Sequence, residues 1–159
     1  MTQQLIETPE PGEVWPGQGG IFGGTVPGGE NGQGYHMVFG PVIGQYAWGP
    51  VLEEAPADSL IDGVKNSVAL SEAASEYPEA EACIAYTKDG HHDFCLPSVN
   101  ELRESRMALG HQFWGTLWTS TQRSKHDAFL FRFEDAIQGS ILKTAIFPVR
   151  PMRKVPLYA

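Results

Sequence analysis

Histidine, cysteine and serine are the residues of this chain that could support nucleophilic catalysis. Such chemistry needs a nucleophile, a neighbouring base and a third group that orients the base. The candidates lie in the second half of the chain and comprise His91, His92, Cys95, His111, Ser120 and His126. Their spacing matches neither the nucleophile elbow of hydrolases nor a phosphate-binding loop. Gly17-Gln18-Gly19 precedes a predicted strand instead of opening a helix, so it does not predict a nucleotide site. We expect no enzyme activity and no catalytic residue.

Metal ligands are equally sparse. His91, His92 and Asp93 are adjacent, whereas a zinc site needs several ligands at paired spacing, so these residues are more typical of a solvated turn. Calcium requires clustered oxygen ligands, and the closest acidic pair, Glu134 and Asp135, lies in a predicted turn. The sequence therefore predicts no metal site and no cofactor.

Length and charge restrict the class of protein. A chain of 159 residues that is 42% hydrophobic suits a single domain, 1–159, which buries roughly 70% of its unfolded surface. The net charge of −8 disfavours nucleic acid as a partner because acidic surfaces repel phosphates. No signal peptide and no apolar run of membrane length is found, so we expect synthesis in the cytoplasm and no membrane insertion. Cys83 and Cys95 are predicted to be free buried thiols, with a disulfide as the less favoured alternative.

The elements that must position any site form two regions. Region 1–57 is rich in Gly and Pro and predicts a β-hairpin, which pairs residues 21–26 with residues 35–39, and a further short strand at 45–48. Region 58–159 begins with predicted helices at 60–77, 79–86 and 98–109. Asp58 or Ser59 would cap the first helix and Pro78 would end it, and Ser98 with Glu101 has the spacing of a capping box.

Strands dominate the remainder of the chain. A short strand is predicted at 94–96, followed by an antiparallel meander through residues 113–121, 128–133, 138–144 and 145–150. Aromatic residues at strand period are predicted to form the core, and they are Trp114, Trp118, Phe129, Phe131 and Phe133. Helices followed by antiparallel strands predict an α+β fold.

Three motifs occur in a distinctive order. They are Leu96-Pro97 followed by Glu101-Leu102, then Trp118-Thr119-Ser120-Thr121, then Val149-Arg150 followed by Arg153. In this order they resemble the Lcl C-terminal domain family, whose members share an LP-x-x-x-EL junction, a W-S/T-S-T strand and a terminal VR-x-x-R. The match covers about residues 60 to 154, and the segment Trp15-Pro16-Gly17-Gln18-Gly19-Gly20 is similar to the N-terminal part of small bacteriophage-encoded members.

The resemblance implies a C-type-lectin-like fold: two to three short helices and an antiparallel twisted sheet, preceded by the N-terminal β-hairpin. It further implies a non-catalytic bacteriophage virion component, either tail-fibre-associated or a receptor-binding and adhesion module. The alternatives are a capsid-decorating protein, or a glycan-binding lectin or lectin-fold enzyme that acts on host surface sugar. The Glu-Pro-Asn, Gln-Pro-Asp and Trp-Asn-Asp signatures of calcium-dependent lectins do not occur, so calcium binding of that type cannot be transferred.

Candidate binding residues lie outside the three motifs. Arg123, Ser124, Lys125, His126 and Asp127 form a polar connection between two predicted strands, which is either a solvated hairpin loop or a recognition loop. Two tryptophans in Pro- and Gly-rich surroundings either pack beneath the hairpin or contact a partner subunit, and they are Trp15 and Trp48. The expected partners are other virion proteins, a host surface receptor or glycan, and further copies of the chain in a homo-oligomer.

Overall fold

The computed structural model describes residues 4–28 and 32–159 and has an α+β fold. Its nine described strands are β1 (Val14–Trp15), β2 (Gly20–Val26), β3 (Tyr35–Phe39), β4 (Gly44–Ala47), β5 (Thr116–Gln122), β6 (Asp127–Arg132), β7 (Ile137–Leu142), β8 (Ile146–Val149) and β9 (Met152–Pro156). The described helices are α1 (Gly63–Glu72), α2 (Pro78–Ala85) and α3 (Val99–Leu109). Within the described ranges, no helix has the length and apolar character needed to cross a membrane.

The predicted N-terminal hairpin forms the centre of a four-stranded antiparallel sheet in the order β1-β2-β3-β9. Ile21 pairs with Phe39 and Val26 with Tyr35, with an irregular register between them. The last strand then pairs along the whole of β3, from Tyr35 opposite Pro156 to Phe39 opposite Met152. The N-terminal region and the end of the chain therefore share one sheet.

The predicted meander is only partly correct. β5, β6 and β7 form a three-stranded antiparallel sheet, but β8 leaves it and pairs with β4 in a separate two-stranded sheet. The last predicted strand, 145–150, corresponds to β8, and the VR-x-x-R motif is divided at Arg150-Pro151 between β8 and β9. Pro151 has no backbone N–H to donate to a strand ladder, which is consistent with a break at this point.

The first two helices differ from prediction at their boundaries. Helix α1 is capped by Asp62, whose side chain accepts a hydrogen bond from the Lys65 N–H, and not by Asp58 or Ser59. Ser59 instead accepts a hydrogen bond from the Asp62 N–H through Oγ. The helix ends at Glu72, and Pro78 opens α2 because the first helical position needs no N–H donor.

The capping box of α3 is confirmed. Ser98 Oγ accepts from the Glu101 N–H at 3.2 Å, and the Glu101 carboxylate accepts from the Ser98 N–H at 2.9 Å. The segment before this helix does not form the predicted strand 94–96, since only Cys95 makes a bridge, to Met152 of β9. Cys95 and Cys83 are both free and buried.

Both faces of β5 and β6 are covered, because alternate residues enter two apolar clusters. Trp118 and Leu130 enter one cluster, whereas Phe131 and Phe133 enter the other. Trp114 was predicted to be core but is 71% exposed. It lies before the first residue of β5, outside the alternation that buries its neighbours.

Candidate functional site

The predicted recognition loop connects β5 to β6. Arg123, Lys125 and His126 are exposed, while Ser124 and Asp127 are partly buried beneath them. The loop therefore presents cationic and imidazole side chains to solvent on a chain whose net charge is −8.

Ser124 and Asp127 connect the two ends of this loop by hydrogen bonds. Ser124 Oγ donates to the Asp127 carboxylate and accepts from the His126 N–H at 3.1 Å. The Arg123 guanidinium lies 2.9 Å from the other carboxylate oxygen of Asp127. Burial acts to raise the pKa of Asp127, but hydrogen bonds from Ser124 and Arg123 outweigh it and lower the pKa below its usual value. Asp127 therefore stays ionised as an acceptor for the loop.

The base of the loop is fastened by Lys143, which is completely buried. Its ammonium group donates to Gln122 Oε1 at 2.6 Å and to the Glu53 carbonyl at 2.8 Å. Its backbone N–H donates to the His126 carbonyl at 3.1 Å. Burial lowers the pKa of Lys143. The negative charges of nearby carboxylates, first those of Glu54 and Glu53, act to raise it but do not outweigh burial. Lys143 lies near the end of the predicted strand 138–144, and nothing in its local sequence indicates burial.

The two candidate interface tryptophans are buried within the chain. Trp48 is completely covered, and its indole Nε1 donates to the Thr119 carbonyl at 2.8 Å. Trp15 is 8% exposed and packs edge to face against Phe22 and His36 of the hairpin. Of the two predicted alternatives, the structure supports packing inside the protein, and the interface assignment of these residues is corrected accordingly.

A second candidate site, which the sequence did not indicate, is a cleft of about 410 Å³. It lies between the end of the β2–β3 hairpin, the start of α1, the first turns of α3 and strand β9. Polar groups from each wall face it, namely Gln33, Tyr35, Asp62, Asn100, Glu104 and Lys154. Lys154 Nζ lies 3.3 Å from Asp62 Oδ1 and 4.3 Å from the centroid of the Tyr35 ring.

Glu101 lies beneath this cleft and connects the elements that line it by hydrogen bonds. Its buried carboxylate accepts from the Gly63 N–H and the Ser98 N–H, both at 2.9 Å, and from the Tyr35 hydroxyl. Burial raises the pKa of Glu101 despite these hydrogen bonds. Burial and then the charge of Glu101 raise the pKa of Tyr35 above its ordinary value. The Tyr35 hydroxyl is therefore a donor held in place, and Glu101 joins three elements.

The potential catalytic residues do not meet in one place. Cys95 is buried, and burial raises the pKa of its thiol, which disfavours the nucleophilic thiolate. Ser120 is buried and its hydroxyl accepts from Asn66, while a ring nitrogen of His91 lies 2.8 Å from the Gly17 carbonyl oxygen. Across residues 4–28 and 32–159, no group of three or more His, Cys, Asp or Glu side chains is placed to hold a metal ion.

The basic residues of the terminal motif serve the structure. Arg153 is nearly buried and its guanidinium pairs with Asp93 at 2.8 Å. Arg150 stacks over the Phe113 ring, with the guanidinium carbon 3.9 Å from the centroid. Neither guanidinium is free to form a basic surface stripe.

No protein-family model matches the chain, and no curated protein matches it. The resemblance to Lcl C-terminal domains stays a prediction based on the order of three motifs.

Proposed function

We propose that this protein is a non-catalytic binding module of a bacteriophage virion, associated with a tail fibre or involved in receptor binding, and built on a C-type-lectin-like fold. The motif order supports the family and the virion assignment. The α+β fold with antiparallel sheets is compatible with that scaffold. The proposed partners are other virion proteins and a host surface receptor or glycan.

The observation that carries the binding role is the loop Arg123–Asp127. Its cationic side chains are exposed, whereas the ends of the loop are connected to each other and to the rest of the protein by hydrogen bonds of Ser124, Asp127 and Lys143. A loop that is ordered before binding loses less conformational entropy when it meets a partner. Cationic side chains on an acidic protein favour a partner surface that is anionic or rich in hydroxyl groups, such as a charged glycan or an acidic protein face.

A charge reversal at the tip of the loop tests this role. Lys125→Glu removes one exposed cation without touching the Ser124–Asp127 bonds, and we expect it to weaken binding to host cells or virion proteins about tenfold, which corresponds to about 1.4 kcal/mol. Lys65→Glu makes the same charge change at an exposed position of α1 and is the matched control. Binding is measured by pull-down of each purified variant against whole host cells and against dissociated virions. Purified protein that captures neither would refute the proposal.

Immunogold labelling of virions separates the tail assignment from the capsid-decorating alternative. Gold on tails supports a tail-fibre or receptor-binding role, and gold confined to heads identifies a decoration protein.

The cleft supports glycan binding as a second candidate. Asn100 and Glu104 offer amide and carboxylate groups beside the aromatic ring of Tyr35, a combination that can bind hydroxyls and the apolar face of a sugar. Glycan-array binding that is lost in Asn100→Ala/Glu104→Ala would support this candidate. A blank array together with a blank hydrolysis assay on host surface sugar would exclude both the lectin and the lectin-fold enzyme.

A further inference from the structure

Strand β7 forms an open edge of the β5-β6-β7 sheet. Among the described residues it pairs only with β6, over all six positions from Ile137 to Leu142 and without a bulge. Its outer edge therefore presents a regular row of backbone N–H and C=O groups, which can accept another strand.

This edge lacks the features that keep sheet edges from pairing. The strand Ile137-Gln138-Gly139-Ser140-Ile141-Leu142 contains no charged residue and no proline, although both are common protections of exposed edges. Ile137 is 49% exposed, Ile141 38% and Leu142 54%. An uncharged and regular edge with exposed isoleucine and leucine side chains can accept another strand.

The lack of charge on β7 makes this edge compatible with a second copy of the chain as that strand. Two molecules with a net charge of −8 repel each other over most of their surfaces. Strand β7 offers contact along six consecutive uncharged residues, so that two copies can meet there without placing carboxylates opposite each other.

Strand β7 is nearly symmetric about Gly139: an isoleucine lies two positions away on each side, and an uncharged polar residue lies one position away on each side. Antiparallel pairing of two copies about this residue places Ile137 opposite Ile141, Gln138 opposite Ser140, and Gly139 opposite its counterpart. Ile137, Gly139 and Ile141 share one face of the sheet, beside a groove of about 320 Å³ that Leu130 and Phe147 also line. Pairing would extend this apolar face across both copies.

We propose that β7 is a homodimer interface in which two copies pair antiparallel about a twofold axis at Gly139 and form one six-stranded sheet. This dimer gives the proposed homo-oligomer a defined surface. Its test needs only the purified chain, so its outcome is independent of the virion role.

Two double variants with the same first substitution test the register. Ile137→Glu/Ile141→Glu places like charges opposite each other in both symmetry-related pairs, and we expect the dimer dissociation constant to rise about tenfold or more. Ile137→Glu/Ile141→Lys places opposite charges in the same pairs and is expected to restore dimerisation. Within one chain, residue 137 lies opposite Arg132, so a glutamate at position 137 faces a guanidinium group in both variants.

The control adds the same negative charge elsewhere. Val68→Glu/Met107→Glu introduces two carboxylates at exposed positions of α1 and α3 and should leave dimerisation close to that of the wild type. Sedimentation velocity over concentrations up to about 100 μM covers the weak end of specific interfaces, and near-ultraviolet circular dichroism verifies the fold of each variant. A wild-type protein that stays monomeric would overturn the proposal. That result would also be obtained if β7 pairs with a different protein, and the homodimer would then be equally refuted. A folded Glu/Glu variant that dimerises like the wild type, or a folded Glu/Lys variant that stays as dissociated as Glu/Glu, would also overturn it.

Discussion

The cleft and the recognition loop each depend on a buried ionisable side chain, but the surroundings of that side chain differ. Beside the cleft, Glu101 accepts hydrogen bonds from three donors on separate parts of the chain. Below the loop, the Lys143 ammonium group donates two hydrogen bonds. The neighbouring Glu79 is completely buried, and neither of its carboxylate oxygens has a hydrogen-bond partner in the part of the chain that the structure describes.

The two buried carboxyl groups therefore differ in energetic cost: that of Glu101 has hydrogen-bond donors and that of Glu79 lacks them. Glu101 exchanges its hydration for well-placed donors, so its loss would leave those donors unpaired. Glu79 gives up hydration without that compensation, and burial raises its pKa well above the ordinary value, although nearby backbone N–H groups and Lys143 act to lower it. We infer that the hydrogen bonds to Glu101 stabilise the cleft region, whereas the loop region contains a buried carboxyl whose ionisation opposes folding without such bonds to offset it.

Removal of Glu101 should have the largest effect. We expect Glu101→Ala to reduce the free energy of unfolding by about 3 kcal/mol or more, because the Gly63 and Ser98 N–H groups and the Tyr35 hydroxyl lose their acceptor. Glu101→Gln keeps one carbonyl acceptor and should cost less. Glu104→Ala, one turn along α3, is the control and should stay within about 0.5 kcal/mol of the wild type. Urea unfolding measures all three variants, and equal stabilities for Glu101→Ala and Glu104→Ala would show that the cleft network contributes nothing.

Replacement of Lys143 should have an intermediate effect. Lys143→Met keeps an apolar chain against Trp48 but removes the hydrogen bonds to Gln122 and Glu53, so we expect a loss of about 1 to 3 kcal/mol. Amide exchange in residues 123–127 should become faster, because the base of the loop loses its anchor. Lys125→Met, in the exposed part of the loop, should change stability by less than about 0.5 kcal/mol. A Lys143→Met variant that is as stable as the wild type would mean that the cost of burying the ammonium cancels its hydrogen bonds.

Replacement of Glu79 should have the smallest effect and the opposite sign. Because the folded pKa is raised, the folded chain binds a proton more tightly than the unfolded chain does. Stability from this group is therefore present below the unfolded pKa, and it falls as pH rises from there through the folded pKa. Glu79→Gln removes this dependence, so we expect it to stabilise the protein by about 1 kcal/mol at pH 8 and to match the wild type at pH 4.

The measurement for Glu79 is the free energy of unfolding by urea at several pH values. Glu81→Gln, on the same helix and exposed, is the matched control and should leave the pH profile unchanged. A Glu79→Gln profile parallel to that of the wild type would contradict the assignment of an uncompensated buried carboxyl.

The sequence predicted the loop between β5 and β6 but not the contacts that anchor it. The loop could be predicted because polar residues interrupt two alternating strands at 122–127. The contact that anchors the loop could not be predicted, because the Lys143 ammonium group donates to the Glu53 carbonyl, 90 residues away along the chain. The cleft was missed for a similar reason: Lys154 reaches Asp62 across 92 residues, and no local pattern pairs them.

By itself, the sequence determined the features that depend on neighbours within a few positions. The α3 capping box, the β2–β3 hairpin and the alternation of β6 belong to this group, because short-range hydrogen bonds and side-chain periodicity decide them. Only the tertiary structure decided that β8 leaves the meander for β4, that β9 completes the hairpin sheet, and that Lys143 is buried while Trp114 is exposed. These outcomes follow from competition among distant strands and side chains for the same core, which local propensity does not encode.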